Sequence, residues 1–258
     1  GDSTMAPYER VEVEGDKGIR LSGKRWRASD DAARAVGFLL PAVVLVHQWP
    51  KLGGNAQLME GLAGALSQRG YDCFTFDLRG VRRSTGWSTW TLRDEVQDVV
   101  AVVEHAVGST DKDVFLVGTS AGAPVAGSAL DSHERVVGAY LLGYPWGLWA
   151  SVMFSWHYAR LRATRKPVMM AMGDRDEFTS VAQFNRKIKE LQGLVRTHIW
   201  PGYNHFEVEM SPFDEPVAGM VHGFISELHT LGMLSPETCV GPPRGVDGEA
   251  AAGEDGSA

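Results

Sequence analysis

Val114-Phe115-Leu116-Val117-Gly118-Thr119-Ser120-Ala121-Gly122 is the stretch on which the reading of the whole chain turns. Four apolar residues without a polar break have the make-up of a buried strand. The small residues from Ala121 to Leu130 suit a helix packed close against it. Between the two lies G-x-S-x-G. A strand that turns sharply into a helix presses its backbone against its neighbours, so the positions two before and two after the centre must be nearly free of side chain. The central residue is forced into strained backbone geometry, and its hydroxyl is lifted clear of the sheet. Glycine-rich turns also contain serine by chance. The strand before and the helix after favour Ser120 as a nucleophile over an ordinary turn residue.

Outward from this turn, strands alternate with amphipathic helices, the pattern of a mainly parallel sheet with helices on both faces. Tyr8–Glu14 and Ile19–Trp26 read as an opening antiparallel pair turned at Gly15-Asp16-Lys17-Gly18. Pro41–His47, Tyr71–Phe76, Val136–Leu142, Pro167–Met172 and Val195–Trp200 read as further strands, about eight in all with Val114–Val117. Helices are expected over Ala56–Arg69, Leu92–Val107, Val181–Leu191 and Glu215–Leu231. In the second of these, Val96, Val99, Val100, Val103 and Val107 form one stripe, and Thr91 with Asp94 reads as a capping box. The expectation is an α/β fold in a single domain over residues 1–235.

A serine hydroxyl is a weak nucleophile until a base takes its proton. Of the eight histidines, His105, His222 and His229 sit inside expected helices, His133 in the loop after the elbow helix, His157 in an aromatic segment and His198 in a strand. His205 alone follows the last strand, in Pro201-Gly202-Tyr203-Asn204-His205-Phe206, where ligand-facing residues of open α/β sheets collect. An orienting carboxylate comes from Gly173-Asp174-Arg175-Asp176, directly after another apolar strand, with two acids on offer. For an oxyanion, the backbone N–H of Ala121 at a helix start is one candidate donor, and that of Trp49 in His47-Gln48-Trp49-Pro50 the second. His47 reads as a structural hydrogen-bonding residue of that loop.

By Val46-His47, Gly118–Gly122, Gly173–Asp176 and Asn204-His205-Phe206 the chain resembles the α/β-hydrolase superfamily across residues 8–235. Phe76-Asp77-Leu78-Arg79-Gly80-Val81-Arg82-Arg83-Ser84 is similar to that family's D-x-R-G-x-G-x-S loop, with Arg82 in place of the second glycine. The resemblance implies a triad in the chain order Ser120, Asp176, His205, the acid standing fourth in its turn and Asp174 serving as a turn-former. His47-Gln48-Trp49 followed by Gly53-Gly54-Asn55 is also similar to the dienelactone-hydrolase-like branch. Members of that branch carry a glutamate at the position of Gln48 and typically use cysteine as nucleophile, so its substrate does not carry over.

Many relatives insert a cap domain between the strands ending at Leu142 and starting at Pro167. Here about 24 residues intervene, so only a short lid segment, 144–166, is expected. Its aromatics suggest an apolar pocket over Ser120 lined by Gln48, Trp49, Trp87, Trp146 and Trp149. The other reading is a helix packing its aromatic stripe on the core. The expected function is hydrolysis of a small, apolar carboxylic ester or thioester through an acyl-enzyme. Amide cleavage and acyl transfer use the same parts, and a catalytically silent binding or scaffold protein would keep the fold without the chemistry. A serine at the elbow in place of aspartate disfavours a dehalogenase.

Composition bounds the partners. The chain has 258 residues, 44% of them hydrophobic, enough for one core buried on both faces of a sheet. Five acids and one arginine lie beyond Pro236, so a net charge of −7 leaves the remainder close to neutral. With no basic stripe for a phosphate backbone, no nucleic acid partner is expected. Residues 236–258, made of Gly, Pro, Ala and acids, have little to bury and are expected to form a disordered acidic tail. No run of about eighteen apolar residues marks a transmembrane segment. Two cysteines, Cys73 and Cys239, suit a reducing compartment. The expectation is an intracellular, cytoplasmic protein, with a targeting segment removed before Gly1 left open. No phosphate-binding glycine loop, dinucleotide fingerprint, HExxH or paired CxxC spacing occurs, and neither cofactor nor metal is expected.

Overall fold

The computed structural model describes residues 7–234; the tail expected over 236–258, with Cys239 inside it, lies outside the described residues. The chain opens with β1 (Tyr8–Glu14) and β2 (Arg20–Trp26), an antiparallel pair whose turn holds Lys17 at φ 53°. There follow β3 (Ala42–Val46), β4 (Cys73–Phe76), β5 (Val114–Thr119), β6 (Val136–Leu142), β7 (Val168–Gly173) and β8 (Val195–Trp200). They make one eight-stranded sheet in the order β1-β2-β4-β3-β5-β6-β7-β8. Pairing is antiparallel at β1–β2 and β2–β4 and parallel from β4 to β8. This is the α/β architecture expected.

Strands buried on both faces need helices on both. These are α1 (Asp30–Val36), α2 (Glu60–Ser67), α3 (Glu95–Thr110), α4 (Gly122–Ser128), α5 (Leu148–Met153), α6 (Ser155–Ala163), α7 (Val181–Ile188) and α8 (Asp214–Thr230). The pleat sends Val44, Val46 and Leu116 to one face, where they meet Val96 and Val99 of α3, Val125 of α4 and Leu161 of α6. Val43, Leu45, Phe115 and Val117 point the other way, onto Leu62 and Leu66 of α2 and Val221 and Ile225 of α8. All of α4 is buried although Gly122, Pro124 and Gly127 are poor helix formers. Packing, not propensity, holds that helix in place.

The helix expected from Leu92 begins instead at Glu95. Leu92 takes φ 55°, and Asp94 makes no side-chain cap bond. The buried Glu95 carboxylate reaches back and accepts from the Thr89 N–H (2.5 Å) and hydroxyl (2.6 Å). Its buried stripe runs through Val96, Val99, Val102, Val103 and Ala106, while Val100 and Val107 are only partly covered. No helix of the described residues is long and apolar enough to cross a membrane.

Under the loop after β4, Arg79 ties three segments together. Its Nε and Nη2 donate to Asp98 Oδ1 of α3 (2.9 and 2.7 Å), its backbone N–H to Asp98 Oδ2 (2.8 Å), and Nη2 also to Asp16 (2.7 Å). Burial lifts the Asp98 carboxyl to about 6 against the opposing pull of Arg79. Removing one member of a buried pair strands the other. Asp98→Ala is therefore expected to lose about 3–5 kcal/mol of stability, read from urea unfolding midpoints. A loss below about 1 kcal/mol, the scale of an exposed pair, would contradict this account.

Candidate active site

The turn between β5 and α4 has the crowding that its glycines predict. A Cβ on Gly118 would stand 2.6 Å from Gly122 O and 2.8 Å from Ala123 Cα, and one on Gly122 would overlap the carbonyl oxygens of Val46 and His47. Ser120 itself takes φ 49°, the left-handed region that side chains ordinarily avoid. Two hydrogen bonds hold it there: its N–H donates to Leu142 O of β6 (2.9 Å), and its carbonyl accepts from Ala123 N–H (3.0 Å).

The loops after β7 and β8 are joined along their backbones. Asp174 N–H donates to Trp200 O, Arg175 N–H to Tyr203 O (both 3.0 Å), and the Asp174 carboxylate accepts from Gly202 N–H (2.7 Å). Asp174 is thus a turn residue, but it bonds the neighbouring loop rather than its own. This seam brings Asp176 Oδ2 to 2.6 Å from His205 Nδ1. The other oxygen, Oδ1, accepts from the N–H groups of Phe178 and Thr179 (both 2.8 Å). A carboxylate can only accept, so Nδ1 carries the imidazole proton and Nε2 is left as acceptor for the Ser120 hydroxyl, 2.8 Å away. His205 is almost wholly buried, with Phe178 edge-on to its ring at 4.6 Å. Burial alone favours its neutral form, but the Asp176 hydrogen bond and the charges of Glu209, Asp176 and Glu177 outweigh that and raise its pKa above the ordinary value.

Of the two oxyanion candidates, Ala121 directly follows Ser120 and Trp49 lies in the loop after β3. Ala121 precedes α4, and neither its N–H nor that of Trp49 donates to another group among the described residues. The Trp49 loop is folded back on itself: Leu52 and Gly54 N–H both donate to Trp49 O (3.0 Å), and a Cβ on Gly54 would overlap Gln48 O. His47 supports it from below, fully buried. Its Nδ1–H donates to Gln48 O (2.7 Å) and its Nε2 accepts from Leu78 N–H (3.1 Å). Arg82 holds the left-handed turn (φ 48°) that glycine would take more easily, and donates to Asn55 Oδ1 (3.3 Å).

The expected aromatic pocket needs correction. Trp146 is only 2% exposed and belongs to the core, packed against Tyr144 (4.6 Å between centroids), Tyr158 (5.7 Å) and Phe184 (6.0 Å). Burying its large ring against these neighbours removes more apolar surface from water than most side chains could. Trp87 and Trp149 stand 89% and 83% exposed, their rings in solvent. Trp49 is partly buried and meets Trp90 (5.8 Å) and Phe154 (6.4 Å) edge-on, linking its loop to the 144–166 segment. Gln48 borders a small cavity with Thr119 and Glu209. Sequence reasoning passed over Glu209. It is a buried acid 3.8 Å from His205 Nε2, and only its spacing four residues after His205 could have flagged it. No cluster of His, Cys, Asp and Glu among the described residues is placed to hold a metal ion.

A family described as an alpha/beta hydrolase domain matches residues 43–211, and the chain belongs to that family. No curated protein sequence matches it. Among solved structures 964 chains match, too many for the fold to select a substrate. XC6422 of Xanthomonas campestris, an α/β serine hydrolase without lid, is 19% identical over 85% of this chain and 94% of its own, with a TM-score of 0.68. An α/β serine hydrolase homologue of Coxiella burnetii is 22% identical over 86% and 94%, TM-score 0.64. The Pyrococcus furiosus esterase Pf2001 is 18% identical over 86% and 91%, TM-score 0.69. At these identities the likeness is one of fold.

Burial lowers the His47 pKa to about 4, only partly offset by its bond to Gln48. Its imidazole resonances are expected to stay those of the neutral ring from about pH 8 down to about pH 5. A midpoint near the ordinary 6.5 would show that His47 is not locked into the backbone as described.

Proposed function

We propose that the chain is a serine hydrolase that cleaves a carboxylic ester or thioester through an acyl-enzyme. One observation supports this above the rest: Ser120, His205 and Asp176 form a continuous hydrogen-bonded line although the pairs are 85 and 29 residues apart in the chain. In the reaction, His205 Nε2 takes the Ser120 proton as Oγ attacks the carbonyl carbon. Asp176 holds the ring in the tautomer that makes this possible and stabilises the imidazolium. The oxyanion forms against the N–H groups of Ala121 and Trp49, each worth roughly 10²- to 10³-fold in kcat by analogy with other such donors. His205 then gives the proton to the departing alcohol or thiol. Water, activated by the same imidazole, releases the acid. These steps call on no cofactor.

The 144–166 segment acts as a fixed shoulder rather than a swinging lid. Its own Trp146 and Phe154 are buried in the core. His157 clamps α6, its Nε2–H donating to Thr91 O and its Nδ1 accepting from the Ser128 hydroxyl (both 2.7 Å). Gly147, just before α5, lies against Phe178 O, and Phe178 touches His205, so the shoulder starts beside the base. Trp90, packed edge-on against Trp49, leaves apolar surface in solvent beside the loop after β3. That surface favours a small apolar acyl or aryl group.

A fluorophosphonate probe is expected to label the wild-type chain but not Ser120→Ala, with turnover of 4-nitrophenyl esters falling roughly 10⁴- to 10⁶-fold. A folded wild-type protein that neither labels nor turns over would turn the reading toward a silent binding protein. Among esters of one leaving group, 4-nitrophenyl butyrate should have a higher kcat/KM than the hemisuccinate. Equal values would remove the apolar preference.

A further inference from the structure

Three carboxyl groups approach His205, and the mechanism above employs one. Asp176 accepts from Nδ1–H, and Glu177 Oε2 accepts from the His205 backbone N–H (3.2 Å). The third, Glu209, lies on the short 3-10 turn Glu207–Glu209 and brings Oε1 to 3.8 Å from Nε2, the atom that meets Ser120. Its side chain is 8% exposed, and Oε1 has no hydrogen-bond partner among the described residues.

A buried acceptor without a donor is destabilising, so a group that stays in this state calls for a reason. The surroundings are shaped for it. Gly143, at φ 62°, leaves the space: a Cβ there would stand 3.0 Å from His205 Cε1 and 3.6 Å from Glu209 Oε1. Gln48, Thr119, Leu142 and Glu209 border a cavity of about 20 Å³, room for one water. The Gln48 Oε1 beside it is also unpartnered. Every charged group facing the pair is acidic: Asp176 and Glu177 from the loop after β7, and Asp214 from the start of α8. Burial lifts the Glu209 carboxyl to about 7 against the opposing pull of His205 and of the Gln48 side chain, and lifts that of Asp214 to about 6.

We propose that Glu209 is a positioning residue for His205, a second carboxyl on the Nε2 side whose titration is coupled to that of the imidazole and whose negative charge stabilises the imidazolium formed when Ser120 is deprotonated. The effect on turnover rests on the hydrolase reading; the proton linkage does not. In the reaction the imidazolium proton comes from Ser120 and leaves with the alcohol or thiol, so Glu209 ends each turnover unchanged. Two groups this close titrate as a pair, and the acid side of the rate profile belongs to both. A carboxylate near Nε2 favours the protonated ring, so removing it lowers the His205 midpoint.

Glu209→Gln keeps the shape and removes the ionisation. Two readouts test it: an NMR titration of His205 Cε1–H, and kcat/KM against pH with 4-nitrophenyl acetate. The His205 midpoint is expected to fall by about one pH unit, and the acid limb to narrow from two ionisations to one. A folded variant with a lower thermal midpoint but an unmoved imidazole titration would overturn the proposal. If Glu209→Gln fails to fold, Glu209→Asp, with its carboxyl drawn back by one methylene, should move the midpoint in the same direction by less, and no movement would again refute it. If the wild type hydrolyses no ester and Ser120 resists labelling, the hydrolase reading falls, while the titration still decides the role of Glu209.

Discussion

A side chain at position 122 would have to occupy space already held by the carbonyl oxygens of Val46 and His47. That lack of room organises the rest of the site. β3 and β5 are neighbours in the sheet, so the end of β3 can be pressed against the start of α4 only if residue 122 is glycine. The same close approach sets the end of β3, from which the Trp49 loop departs, against the turn that carries Ser120 and Ala121. It also forces Ser120 into a left-handed conformation that the bonds to Leu142 and Ala123 then maintain. The cost of that strained residue is met by packing: α4 is buried over its whole length between the sheet, α3 and α6.

The other half of the site depends on backbone pairing beyond the ends of strands. β7 and β8 run parallel and in register to Gly173 and Trp200, and the bonds from Asp174 and Arg175 continue that pairing into the loops. Asp174 is consumed by the seam, exposed and bonded to Gly202. Asp176, two residues further, turns inward and meets His205 from beneath. The choice between the two acids is made by this seam, since their side chains are chemically alike.

Three buried histidines show how partners set the role of one residue type. Burial disfavours the charged ring in all three, and His47 and His157 are held near 4 by it. Both are built into the scaffold: each has a backbone carbonyl on one nitrogen, with the Leu78 N–H on the other nitrogen of His47 and the Ser128 hydroxyl on that of His157. His205 is buried as deeply but is ringed by Asp176, Glu177 and Glu209, and its pKa rises instead. Surrounding carboxyl groups favour the protonated form of one ring, whereas burial keeps the two rings that brace loops neutral against the opposing pull of their backbone carbonyl partners.

Periodicity and glycine placement made the eight strands, the elbow and the positions of Ser120 and His205 legible, because those signals are local: a buried strand needs an unbroken apolar run, and a crowded turn needs glycine. Local patterns misled where capping depends on a distant or unexpected partner. The start of α3 followed Glu95 bonding back to Thr89 rather than the Thr91–Asp94 spacing, and α1, with no buried residue, offered no stripe to read. Trp146, Trp87 and Trp149 are chemically alike in sequence, yet one fills the core and two stand in solvent, since burial is set by what arrives from elsewhere in the chain. Glu209 is, in sequence, one acid among Glu207, Asp214 and Glu215 after β8. The sequence by itself determined which residues can turn, pair and bury; only the tertiary structure decided which of them face one another, because the Asp176 carboxylate 2.6 Å from an imidazole 29 residues further on is a fact of packing between segments that no spacing along the chain encodes.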